Sequence, residues 1–348
     1  MKRILRAVLV VVVLLGVISV AATYVGYSRV NERFKGYPDT ETFIEIPSGA
    51  GPAAIGQRLV DAGVVRDPVT FRAAVWLSGR ARDLKAGEYQ FDRPLSAFEV
   101  VDKLARGDVY KRLITFREGL TIAEMAATYE ESKLGTRADF VAAARDASPI
   151  RDLDPEAKDL EGYLFPETYT LRRDTPARAL VEQMAALFEK TMTPAMRESA
   201  KAHGLTLREA VTLASLVEKE TAVPEERPLV AAVYLNRKNI GMAMQADPTV
   251  IFALQRSGQY TGNLRRDDLQ FDSPYNTYRY PGLPPGPIAA PGRAALEAAV
   301  APAKVDYLYF VSKNDGSHVF ARTLDEHNRN VYQWQIQYFR RKKTGGSP

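Results

Sequence analysis

From Ala7 to Tyr27 the chain carries no charged side chain, a run of 21 residues. As a helix rising about 1.5 Å per residue it would be about 31 Å long, which matches the hydrocarbon thickness of a bilayer. Lys2, Arg3 and Arg6 precede it. Positive flanks stay in the cytoplasm, so the remainder of the chain is expected on the other side. The run is longer than the apolar core of a secretory signal, although "SVA" before Ala22 has the look of a processing site. Residues 1–30 therefore read as a cytoplasmic stub and a retained transmembrane helix. The rest is expected to fold in the periplasm or cell-wall space, as a single-pass protein of the cytoplasmic (inner) membrane. ATP is absent there, and no GxxxxGK[ST] phosphate loop occurs.

Charge and residue usage narrow the chemistry. The 348 residues include no cysteine, which excludes disulfides, thiolate metal sites, a cysteine nucleophile and a lipidated cysteine. His203, His318 and His327 lie too far apart for HExxH spacing, so no metal and no cofactor are expected. The net charge of +5 comes from the ends: Lys2, Arg3 and Arg6, with Arg340, Arg341, Lys342 and Lys343, are seven of the 47 basic residues. The remaining 40 face 42 acidic ones, so the body lacks the footprint of a nucleic-acid binder. The basic tail, 341–348, reads as a solvated end. The abundant polymer outside the cytoplasmic membrane is peptidoglycan.

Residues Asn31 to Thr40 are polar, broken by "GYP", and read as a linker. A unit then occurs twice. The first copy is "FIEIPSGAGPAAIGQRLVDAGVVRDPVTFRAAV" and the second "LITFREGLTIAEMAATYEESKLGTRADFVAAA". Each has an alternating strand, a glycine turn, an amphipathic helix, and a second helix carrying a phenylalanine. Gly49 and Gly119 lie 70 positions apart, Phe71 and Phe140 69 apart. "LKAGEYQF" and "LEGYLFPETY" read as the related closing pieces, giving β-α-α-β units. Such units serve as polymer-binding modules or as duplicated packing modules, and pattern alone does not separate the two. Beyond Arg178 the texture is helical. Thr206 and Glu209 form a capping box that starts a helix, and Pro224 ends it. A helix over about 227–238 follows, then "QADPTVIFALQ", a long Pro-, Gly- and Tyr-rich loop, the strand "YLYFVSK", a hairpin, and a capped final helix.

Within "VTLASLVEKE", Glu218 falls between Val211 and Ala214 on a helical wheel, on the apolar side. A carboxylate there is costly unless paired or protonated, so Glu218 is either a structural compromise or an acid. A carboxyl held protonated near neutral pH can protonate a leaving oxygen, as breaking a glycosidic bond requires. Glu220 faces elsewhere and is expected to pair with an Arg or Lys. The Tyr-rich loop offers flat rings of the kind that stack on sugars, Tyr278 among them, or serves as a rigid packing loop. Gln245, Asp247 and Asn276 are candidates for orienting substrate hydroxyl or N-acetyl groups. Glu167 follows Pro166 and is placed either in a cleft or as a turn cap. His327 reads as a buried hydrogen-bonding residue rather than an acid–base group.

"LEGYLFPETY", "LASLVEKET", "QADPTV", "SPYNTYRYPGLPPGPIAAPG" and "HVFARTLDEHN" occur in that order. Together they resemble the endolytic murein transglycosylases, the MltG or YceG-like family. The resemblance implies an α+β chain: an N-terminal transmembrane helix, a small LysM-like βααβ domain over 41–110, and a mixed α/β catalytic domain over 111–340, of which 111–175 repeats the first unit. The first copy departs from a LysM turn, reading "SGAGPAAI", while "EGLTIAEMA" in the second comes closer. The resemblance further implies Glu218, the Glu of the "VEKE" motif, as catalytic. Gln245, Asp247, Asn276, Tyr278 and Glu167 stand beside it as candidates toward substrate, and penicillin-binding protein synthases as candidate partners. The implied reaction is non-hydrolytic: cleavage of the MurNAc–GlcNAc bond in nascent strands with formation of 1,6-anhydro ends, in cell-wall assembly and the termination of glycan elongation. Two other readings stand beside it. One is a hydrolase using Glu218 with Asp247 or Glu167. The other is a non-catalytic peptidoglycan-binding scaffold for cell-wall synthases.

Overall fold

The computed structural model describes residues 2–173 and 175–343. The chain divides into two compact units, one ending at Arg112 and the other starting at Leu113. The last five residues of the basic tail lie outside the described residues.

The first unit opens with a single helix, α1 (Lys2–Asn31). Its stretch Leu9–Asn31 has a mean hydropathy of 2.5, and none of its most apolar part is buried in the protein. One helix is thus long and apolar enough to cross a membrane. Its far end is different: Val30 is buried in the unit's core. Then come β1 (Thr42–Ile46), α2 (Pro52–Asp61), α3 (Pro68–Ser78), β2 (Gly87–Phe91) and α4 (Ala97–Arg106). β1 and β2 pair antiparallel, Ile44 opposite Tyr89. Alternation along both strands sends Ile44, Ile46, Tyr89 and Phe91 inward, onto Ile55, Leu59, Phe71, Val100 and Leu104. The Asp67 carboxylate caps α3 by accepting from the Thr70 amide, and Pro68 fits the first turn. The stretch read as a linker, 31–40, is bound down. Phe34 and Leu95 exchange backbone hydrogen bonds of 3.0 and 3.3 Å, the Gly36 amide donates to the Gly63 carbonyl, and Tyr37 is buried. Its polar residues face out while Phe34 and Tyr37 anchor it, a pattern too short to read as periodicity.

The second unit repeats the plan: β3 (Arg112–Thr115), α5 (Ile122–Glu131), α6 (Arg137–Ala144) and β4 (Thr168–Leu171), with β3 paired to β4. Gly49 and Gly119 take nearly the same left-handed φ, 78° and 76°, and Phe71 and Phe140 are both fully buried. The expected closing piece differs. "GEYQF" is a strand, but its counterpart "EGYLF" is a buried turn, and the strand begins only at Thr168. The Gly162 φ of 81° breaks extension there, and its Cα lies directly against Pro287, where a side chain would not fit.

Helices then dominate: α7 (Ala177–Thr191), α8 (Pro194–Ala202), α9 (Leu207–Glu220), α10 (Arg227–Asn239), α11 (Asp247–Ser257) and α12 (Arg293–Val300). α9 is the axis of the unit. The Thr206–Glu209 capping box starts it, and Ala210 to Val217 are all buried, with α8, α10, α11 and α12 packed around it. The hairpin β5 (Tyr309–Ser312) and β6 (His318–Ala321) follows. The final helix begins at α13 (Leu324–Val331), passes through a π-helical segment (Tyr332–Gln337) and ends as α14 (Tyr338–Lys343).

Candidate active site

All-round packing of α9 ends at Val217, and the next residue is Glu218. Its side chain is only 8% exposed. Val211 and Ala214, its neighbours on the wheel, are fully buried. Glu218 lies in the last turn of α9, where the unpaired carbonyls disfavour a negative charge. Burial pushes its carboxyl above the ordinary glutamate range; the Gly292 amide draws it back, the Glu118 charge raises it, and Arg227 and Lys219 lower it. The balance is upward, toward a group that keeps its proton.

Three chain segments meet around this carboxyl. The first is the glycine turn before α5. The Gly119 Cα approaches so closely that an added Cβ would sit 3.6 Å from the Glu218 Cγ. The Gly119 carbonyl accepts from Lys219 Nζ at 3.1 Å. The second is the end of the long loop. The Ile288 amide donates to Ser215 Oγ, one helical turn before Glu218. The Ala290 amide donates to the Leu120 carbonyl, and the Gly119 amide donates to the Ala290 carbonyl, both at 2.8 Å. This rung carries Gly292 to the site, where its amide donates to Glu218 Oε2 at 3.0 Å. The Glu118 carboxylate lies where a Gly292 side chain would be, so a larger residue at 292 would displace that carboxylate. The third is the start of α10, where Arg227 Nη2 stands 3.7 Å from Glu218 Oε1 and 4.0 Å from Glu118 Oε2.

The start of α10 is itself braced. His318 donates its amide to Glu226 Oε1, and His318 Nδ1 lies 2.7 Å from Glu226 Oε2. Thr221 Oγ1 donates to the same oxygen. Burial raises the Glu226 carboxyl, but the hydrogen bonds from His318 and Thr221 outweigh it, leaving it below the ordinary range. Nothing local in the sequence marks Arg227, Gly292 or Glu226, and only a glycine-turn pattern marks 118–119.

The predicted substrate residues form a second group. Gln245 is exposed and adopts a left-handed φ of 49°. Such a backbone costs a non-glycine residue about 1 kcal/mol or more and is held only by its surroundings. Here Arg237 Nη1 bonds the Met244 carbonyl at 2.6 Å, and the Gln245 amide donates to the Thr277 carbonyl. Asp247 opens α11 and accepts from the Tyr278 hydroxyl at 2.5 Å. Burial, then the Asp247 bond, raises the Tyr278 phenol well above its ordinary value. Asn276 is fully buried. Its Nδ2 donates to the Leu269 and Phe271 carbonyls at 3.0 and 2.7 Å, and its Oδ1 accepts from the Tyr278 amide at 3.0 Å. The amide is spent on the loop, so Asn276 positions Tyr278 instead of facing a ligand. Of the loop rings, Tyr280 is exposed, whereas Tyr275 turns inward against Phe252.

Glu220 pairs with Tyr234, whose hydroxyl donates to it at 2.7 Å, and not with an Arg or Lys. Burial raises the Glu220 carboxyl while that bond lowers it. Glu167 is exposed and accepts from the adjacent Thr168 amide, a turn cap; no contact joins it to Glu218 among the described residues. His327 was expected to be hydrogen-bonded. Its ring stacks on Tyr309 with centroids 5.1 Å apart, and its buried Nδ1 has no hydrogen-bond partner among the described residues. Glu161, in the buried turn, accepts from the Ile122 amide at the start of α5, and burial pushes it up to about 8.

The site thus holds a buried carboxylic acid whose proton is favoured, beside a loop braced by buried side chains, and a group of that kind has the properties of a general acid. The chain belongs to the YceG-like family, whose family model matches residues 44–333. It is 33% identical over 307 residues to the endolytic murein transglycosylase of Bacillus subtilis, covering 83% of this chain and 84% of the relative. It is 32% identical over 321 residues to the protein of that name from Streptococcus pneumoniae serotype 2, covering 83% of this chain but 57% of the relative. The crystal structure of a yceG-like protein from Listeria monocytogenes superposes with a TM-score of 0.57 at 31% identity, over 83% of this chain and 98% of that one.

Proposed function

We propose that this protein is a membrane-anchored lytic transglycosylase that cuts peptidoglycan strands internally at the MurNAc–GlcNAc β-1,4 bond. α1 serves as the single anchor, with its N-terminus in the cytoplasm. Residues 41–110 form a LysM-like domain and 111–340 the catalytic domain, both on the outer side of the membrane, beside the synthases that extend nascent strands. The observation that carries the reading is the position of Glu218, 8% exposed at the C-terminal end of a buried helix with its proton favoured. Family membership supplies the substrate class.

In this reading Glu218 gives its proton to the bridging oxygen as the bond to C1 of the muramic acid breaks. The Gly292 amide holds Oε2 and so sets the plane of the carboxyl. The resulting carboxylate then takes the proton of the C6 hydroxyl of the same sugar. The C6 oxygen closes on C1, leaving a 1,6-anhydro end. One carboxyl serves as acid and then as base, so no second carboxylate and no activated water are required. Gln245, Asp247 and Tyr278 form a second group at the start of α11, and in this reading the exposed Gln245 side chain meets a hydroxyl or N-acetyl group. The anhydro end cannot be extended, which makes the reaction a terminator of glycan elongation in cell-wall assembly.

The test is digestion of uncrosslinked nascent strands by the full chain in detergent, with new termini read by mass. Anhydro ends, each lighter by one water than a reducing end, are expected. Glu218→Gln keeps the acceptor for the Gly292 amide and removes a carboxyl that burial disfavours in its ionised form, so folding should be unharmed. Activity should fall by about 10²-fold or more, the contribution of a general acid–base group. Reducing ends in the products would replace this reading with the hydrolase. An active Gln variant would remove Glu218 from the chemistry.

A further inference from the structure

Arg227 is an under-used cation. Its side chain is 13% exposed, and its Nε is buried without a hydrogen-bond partner among the described residues. Its Nη2 stands 3.7 Å from Glu218 and 4.0 Å from Glu118, near both carboxylates and within hydrogen-bonding distance of neither. A buried guanidinium normally fills its donors, preferably with a bidentate carboxylate. The two acids differ in setting: Glu218 is 8% exposed and Glu118 47%. The Glu118 carboxylate occupies the space beside the Gly292 Cα, and the amide of the same glycine donates to Glu218. The brace of Glu226 by His318 and Thr221 sets the residue just before Arg227.

We propose that Arg227 is shared between two carboxylates by design: it pairs with Glu118 while Glu218 carries its proton, and moves to Glu218 once that proton has been given up. Arg227 and Glu118 are then positioning residues of the reaction, rest on the acid–base role of Glu218 above, and exchange no proton with substrate. A single cation between two anions reconciles the two tasks of Glu218. A permanent Arg227–Glu218 pair would hold the acid ionised before it acted. No pair at all would leave the intermediate carboxylate unsupported in an apolar setting, where an unpaired charge is costly. With Glu118 as the alternative partner, the guanidinium needs to travel less than a side-chain rotamer change, and the cluster turns net negative only when the proton leaves.

The other charges facing Glu218 do not supply this exchange. Lys219, its neighbour on α9, is engaged with the Gly119 carbonyl. Glu220 is bonded to Tyr234, and Asp247 of α11 bears on Glu220. α12 contributes the uncharged Gly292 amide, and its first residue, Arg293, is exposed.

The experiment uses the full chain in detergent and compares Glu118→Gln, Glu118→Asp and Arg227→Gln with the parent by two readouts. The first is the pH profile of kcat/KM. A general acid must be protonated, so activity falls as pH rises through the Glu218 titration. Glu118→Gln removes a negative neighbour and leaves Arg227 to Glu218 alone, so this limb should move to lower pH by about one unit, with about a tenfold loss above it. Arg227→Gln should move the limb to higher pH and lower kcat, because the ionised intermediate loses its cation. Glu118→Asp should restore most of the parent profile. The second readout is ¹³C NMR titration of glutamate carboxyls, with Glu218 assigned by its absence in Glu218→Gln. It reads the protonation of Glu218 whether or not the chain cleaves glycan, and the same opposite shifts are expected. Unchanged titrations, or shifts in one direction in both variants, overturn the proposal. Titrations that shift oppositely in a chain without lytic activity would leave the charge-sharing intact and sink the function above.

Discussion

Replacing Asn276 tests whether a polar loop residue is structural. The side chain is 0% exposed and makes three hydrogen bonds, two donated to the Leu269 and Phe271 carbonyls and one accepted from the Tyr278 amide. At about 1 kcal/mol net for each bond, Asn276→Ala should cost about 3 kcal/mol, with more if the stranded carbonyls stay dry. Asn276→Asp sharpens the argument. It keeps volume and the Tyr278 bond but points a carboxylate oxygen at two carbonyl oxygens, burying an unpaired charge, so it should cost more than the alanine change. The chain has two tryptophans, Trp76 in the first unit and Trp334 in the second. Trp76 is 80% exposed, so Trp76→Phe costs little and leaves Trp334 as the reporter of the unit in question. Urea unfolding followed by Trp334 fluorescence should show a lower midpoint at unchanged slope, in the order parent, Ala, Asp. An aspartate variant as stable as the alanine one, or a loss below about 0.5 kcal/mol for alanine, the range of ordinary surface changes, would refute the assignment.

Further outcomes follow from the same geometry. Gly162→Ala forces a side chain into a φ of 81° and against Pro287 and Val211, so destabilisation of about 2–4 kcal/mol is expected in the same unfolding assay. The Arg208 guanidinium holds Asp154 through bonds of 2.7 and 2.8 Å, and Tyr163 adds a third at 2.6 Å. Burial raises the Asp154 carboxyl and these bonds outweigh it, leaving it below the ordinary aspartate range. Its stabilisation is therefore present above the unfolded-state pKa and fades as pH falls through the lowered folded value. Asp154→Asn should cost about 3 kcal/mol at neutral pH, and the gap to the parent should close in acid.

What the sequence yields here is what neighbours along the chain decide. The Thr206–Glu209 and Thr323–Glu326 boxes need only four adjacent residues, and both form. Glu218 shows itself by its angle to Val211 and Ala214, a property of one helix. The duplicated unit is legible in Gly49 and Gly119 because a left-handed turn tolerates few other residues. The failures are of another kind. "EGYLF" looks like the strand "GEYQF", but its Gly162 takes a left-handed φ and lies against Pro287, more than a hundred positions away. Asn276 has the composition of a ligand-binding residue and the hydrogen bonds of a loop brace, and residue type does not say which way an amide points. Glu118, Arg227 and Gly292 reach Glu218 only through the rung between residues 119–120 and 290 and through the Glu226 brace. A helical pattern can therefore nominate an acid. Whether that acid holds its proton depends first on burial and the Gly292 amide, then on the Glu118 carboxylate and the Arg227 cation, all of them set by the fold, so its working pH is a tertiary property.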